Sequence, residues 1–103
     1  MENINNTANE NKEKEDKTRE IPLPQVTFAT FILSLNTSAL VHLGEIPDPE
    51  RQEAECNLQL ARHAIDTIAM LQEKTDGNLT DDEKSLIEHI LFDLRMRFVK
   101  KSA

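Results

Sequence analysis

Tryptophan and tyrosine are absent, and phenylalanine occurs only four times. A chain so poor in broad aromatic rings is badly equipped to stack nucleic-acid bases or sugars. One cysteine, Cys56, excludes an intrachain disulfide and any zinc site built on cysteines. It suits a reducing cytoplasm. Its acidic neighbours Glu53 and Glu55 disfavour a thiolate, so it reads as a small side chain near a helix start. Basic charge is also short. Twelve Lys and Arg face nineteen Asp and Glu, and the net charge of −7 argues against binding duplex DNA or RNA over a broad face. The most telling absence is local. Residues Ile21–Gly44 carry no formally charged side chain, although 30% of the chain is Asp, Glu, Lys or Arg.

That uncharged run predicts a helix that is apolar on nearly every face and needs cover on several sides. Two other readings compete. Lys17 and Arg19 ahead of an apolar segment, with Thr37-Ser38-Ala39 beyond, faintly resemble a signal peptide. The leading segment is long and net acidic, however, and two prolines intervene. A membrane span over Val26–Leu43 would have to bury Thr27, Thr30, Ser34, Asn36, Thr37, Ser38 and His42 in lipid, which is costly for a lone helix. A buried core helix is the better expectation, in a cytoplasmic protein.

Residues 1–22 hold almost no apolar groups and are expected to form a disordered tail of mixed acidic and basic character. Residues 23–103 are expected to form a single all-α domain. A domain of that size hides only about 60–65% of its unfolded surface, so its core is marginal alone. Three helices are predicted, over 27–43, 49–75 and 80–100. Thr27 caps the first, and Gly44 ends it in the left-handed conformation. Asp48-Pro49 has the form of a second helix start. On that helix Ala54, Leu58, Leu60, Ala61, Ala64, Ile65, Ile68, Ala69 and Leu71 fill an arc of about 180°, wide enough for two neighbours. Asp76-Gly77-Asn78 stops it, with Gly77 just past the end. Thr80-Asp81-Asp82-Glu83 is a capping box that starts the third helix and closes an antiparallel hairpin.

The third helix has a core stripe of Leu86, Ile87, Ile90, Leu91, Leu94 and Phe98. A second stripe, Phe92, Met96 and Val99, points away from it. Two readings stand for this stripe: partial cover by the first helix, or a subunit contact. The first helix carries a row of small polar residues, Thr30, Ser34 and then Thr37 or Ser38. Small side chains let another backbone come close, and hydroxyls can bond back to their own helix. Two readings stand for this row as well, packing against the second helix or a close crossing with the same helix of a second copy; the second makes these residues, together with Leu35, candidate interface residues.

Four segments together resemble the bacterial family known as domain of unknown function 1844: Ser34-Leu35 with Ala39-Leu40 and Leu43-Gly44-Glu45; Pro47-Asp48-Pro49; Ala61, Ile65-Asp66, Leu71 and Lys74-Thr75 leading to Gly77-Asn78-Leu79; and Leu94-Arg95 with Arg97-Phe98. The resemblance spans about Val26 to Phe98. Phe98 stands where the family pattern has a tyrosine, so a role resting on that hydroxyl is lost. The resemblance implies a small helical bacterial protein and supplies no catalytic residue.

Groupings of residues that could carry chemistry are sparse. His42, His63 and His89 fall one to a helix, without the close pairs that bind metal. Asp66 is the carboxylate inside the family-like segment of the second helix, and its plain role is an ion pair with Arg62 or Arg95, worth under about 1 kcal/mol if exposed. No phosphate loop, serine elbow or nucleotide fingerprint occurs. No enzyme, cofactor or metal is expected. Arg95, Arg97, Lys100 and Lys101 form the one basic patch. They suit the negative end of a helix, or an electrostatic contact with an acidic partner, anionic lipid or RNA; Arg95 or Arg97 could instead pair with Asp81, Asp82 or Asp66 of a neighbouring copy. The leading expectation is a non-enzymatic homodimer or protein-interaction module. Peripheral membrane contact through 21–44 and a small-ligand or metal site between subunits are the alternatives.

Overall fold

The computed structural model describes residues 22–50 and 54–103. The tail expected over 1–22 therefore lies outside the described residues, except for Pro22. Three helices follow, α1 (Phe28–His42), α2 (Leu58–Lys74) and α3 (Asp81–Ser102), and no strand occurs among the described residues. All three helices touch one another, and α2 and α3 form the expected hairpin.

The ends of α1 follow from its flanking residues. The Thr27 hydroxyl accepts from the Thr30 N–H at 3.1 Å, and the Thr30 hydroxyl accepts from the Thr27 N–H at 3.2 Å. This reciprocal cap satisfies two otherwise free donors. At the other end Gly44 takes φ +77°, while Glu45 N–H donates to the Leu40 carbonyl and Gly44 N–H to the Val41 carbonyl. That is a Schellman ending, and it needs a residue at home in the left-handed region. Thr80 and Glu83 cap α3 in the same reciprocal way, at 3.1 and 2.9 Å.

The second helix departs from expectation. It begins at Leu58, not Pro49, and residues 54–57 carry no regular structure before it, Asn57 itself being extended. Asp48 Oδ1 does accept from the Glu50 N–H at 2.9 Å, as a cap would. Residues 54–57 nevertheless carry no helix, because this stretch has little apolar surface to bury and helices gain most of their stability from burial. Ala54, expected on the core face, is exposed. The chain instead returns along the end of α1, where Asn57 N–H donates to the His42 carbonyl at 2.7 Å. Asn57 then caps α2 by accepting from the Leu60 N–H at 3.0 Å. Leu60 is also exposed, so the apolar arc of α2 is narrower than predicted. Gly77 has φ +91° but sits two residues beyond the C-cap Thr75, one place later than expected.

The core comprises Ile32, Ala39 and Leu43 of the first helix and its cap, Ala61, Ile65 and Ile68 of α2, and Ile87, Ile90, Leu91 and Leu94 of α3. Phe28, Leu35, Leu40, Leu86 and Phe98 pack around it. One polar atom breaks the pattern. The Oδ1 of Asn36 is sealed from solvent and accepts no hydrogen bond. Burying an unpaired carbonyl costs about 1–3 kcal/mol. Asn36→Leu is therefore expected to raise stability by about 1 kcal/mol, read as a higher midpoint in thermal circular dichroism. A lowered midpoint would show that the amide has a partner in solution.

Candidate functional site

The residues expected at interfaces divide between two faces. On α3, Phe92, Met96 and Val99 are 68, 49 and 63% exposed. α1 does not cover them, so the reading that they tuck beneath it is set aside. They form one wall of a groove between α2 and α3. Its upper hollow is bounded by Gln72, Glu88 and Phe92, its lower by Arg62, Asp66 and Phe98, and both share Arg95 and Val99. In the lower hollow the Arg62 guanidinium lies 5.5 Å from the centre of the Phe98 ring, within cation–π range. The ion pair expected for Asp66 with Arg62 or Arg95 does not form.

On α1, Thr30, Ser34, Thr37 and Ser38 lie along one side of the helix, flanked by Phe31 and Leu33, which are 49 and 45% exposed. Three of the hydroxyls are spent on the backbone: Thr30 on the Gln25 carbonyl at 2.8 Å, Ser34 on Phe31 at 2.8 Å and Thr37 on Leu33 at 3.1 Å. A face whose donors are satisfied from below presents little demand for water. Thr30 is doubly committed, because it also completes the α1 cap. Leu35 points inward and packs on the core.

The basic end is only partly available. Arg97 donates to Asp93 Oδ2 at 2.8 Å and to Glu45 Oε1 at 3.2 Å, and Lys101 lies 3.5 Å from Glu45 Oε2. The hydrogen bond to Asp93 and that carboxylate's charge, with Glu45 adding, hold the guanidinium above its ordinary pKa against a small desolvation. Arg95 and Lys100 form no ion pair among the described residues. Glu45 fastens α3 to the end of α1; the sequence marks it as the first charge after the uncharged run and as part of the family-like Leu43-Gly44-Glu45, but not as a partner of α3.

His63, His89, Asp66 and Cys56 are all exposed. Among the described residues no group of three or more His, Cys, Asp or Glu could hold a metal ion, and no helix is long and apolar enough to cross a membrane.

A family model described as a domain of unknown function (DUF1844) matches residues 25–100. The chain belongs to the DUF1844 family. That match takes in all of α1 and α2, and α3 as far as Lys100, so both exposed faces lie within the DUF1844 region. No curated protein and no solved structure matches this DUF1844 chain.

Proposed function

We propose that this protein is a non-enzymatic self-association module, a homodimer formed through its helix faces. One observation carries the reading. Five large apolar side chains, Phe31, Leu33, Phe92, Met96 and Val99, remain 45–68% exposed after three helices have packed. Single exposed apolar residues are ordinary, but grouped ones on a small domain mark a contact surface. A core this small is also commonly supplemented by oligomerisation, and a closed two-fold pair is the commonest symmetric solution. The scattered, exposed titratable groups support a binding role over a chemical one.

The test is light scattering on the full chain at micromolar concentration. A mass near twice 11.8 kDa is expected. A mass of one chain that persists as concentration rises would overturn the proposal.

A further inference from the structure

We propose that the outer face of α3 is the seam of this self-association, with α3 antiparallel to α3 of a second copy, Phe92 near the two-fold axis, and Glu88 of each chain facing Arg95 of the other. The inference rests on the self-association reading and adds its surface, direction and pairing.

The spacing comes first. Glu88, Phe92, Arg95 and Val99 recur at intervals of four, three and four, the repeat that keeps a stripe facing one partner helix. Phe92 and Val99 are among the most exposed apolar side chains described, and Met96 widens the stripe between them. Glu88 and Arg95 border the same groove, one on each side of Phe92. Neither forms an ion pair among the described residues. Two unpaired, opposite charges therefore bracket an uncovered aromatic ring.

Symmetry selects the occupant. A two-fold axis across antiparallel helices brings the same flank of each helix together. Residues seven apart and centred on the axis then face each other twice over. Glu88 and Arg95 are seven apart and centred beside Phe92, so each copy supplies what the other lacks. A parallel pairing would set Glu88 against Glu88 and Arg95 against Arg95. The whole helix is polarised in the same sense. Residues 81–92 carry four carboxylates and one lysine, net −3, and residues 93–102 carry four cations and one carboxylate, net +3. Antiparallel copies lay the acidic half of one over the basic half of the other, which fixes direction and suppresses the wrong register. A second copy of this chain satisfies that pattern without any further partner.

The test is a charge-exchange series followed by sedimentation equilibrium, with circular dichroism to confirm folding; the altered residues are exposed, so folding should be kept. Glu88→Arg and Arg95→Glu are each expected to raise the dimer dissociation constant at least about tenfold, and the double exchange to return it to within about threefold of the parent. Phe92→Glu is expected to give monomers, and Ser34→Arg on α1 to remain dimeric. A parent chain that is monomeric defeats the self-association reading itself. A dimer broken by Ser34→Arg but indifferent to Phe92→Glu leaves that reading standing and overturns the α3 seam. Weakened single variants whose double does not recover overturn the antiparallel pairing of Glu88 with Arg95.

Discussion

Leu94→Ala is expected to cost about 3 kcal/mol of folding stability, while Phe92→Ala, two residues earlier on the same helix, costs the folded chain under about 0.5 kcal/mol. Leu94 is fully buried within the cluster formed by all three helices, and Phe92 is mostly exposed. Truncating a buried leucine loses its transfer free energy and leaves a cavity that a close-packed interior fills only partly. In a domain of this size each kcal/mol shifts the melting midpoint by about 4–8 °C, so the Leu94 variant should melt well over 10 °C lower. Phe92→Ala should act through association instead. A self-associating chain melts higher as its concentration rises, and this variant should largely lose that dependence while Leu94→Ala keeps it. Thermal melts over a hundredfold range of concentration separate the two effects. Equal losses at all concentrations from both variants would mean that Phe92 is a core residue and not a contact.

Gly44→Ala is expected to lose about 2–3 kcal/mol, and Gly77→Ala only about 1 kcal/mol. Both glycines have positive φ, at +77° and +91°, so an added Cβ is strained at either site. Only Gly44 is crowded as well. A Cβ there would lie 3.3 Å from both the Cβ and the backbone N of Cys56, whereas at Gly77 nothing lies within 4 Å. Cys56 cannot retreat easily, because the next residue is tied by its N–H to the His42 carbonyl. Urea titration of the two variants provides the comparison. Indistinguishable midpoints would show that the approach of residues 54–57 to the end of α1 is looser in solution.

Much of the fold was legible in the sequence because its punctuation is local. Thr27, Gly44, Thr80 and Glu83 each act within a few positions of themselves, and each does what its residue type dictates. The start of α2 was not legible for the opposite reason. Asp48-Pro49 is a sound local start signal, but whether a helix grows from it depends on what lies beside it, and the neighbour proved to be the end of α1. The candidate surfaces were partly visible. Periodicity placed Phe92, Met96 and Val99 off the core stripe without deciding whether α1 would cover them. Glu88 and Arg95 could have been joined to that stripe by their heptad spacing alone. The pairing of Glu45 could not have been read from local spacing, since its partners Arg97 and Lys101 lie more than fifty residues away.

The bridge from Glu45 to α3 places the closing ends of α1 and α3 at one pole of the molecule, so two helices point one way and only α2 points back. Backbone dipoles aligned along a helix amount to about half a unit charge at each end. Among the described helices of one copy, one helix dipole is therefore left unbalanced by another helix, and the division of charge along α3 opposes it, with the acidic half at the positive start and the basic half at the negative end. In the proposed pair, a two-fold partner laid antiparallel against α3 would set the described helices of one copy against those of the other, balancing both that dipole and the side-chain charges that oppose it.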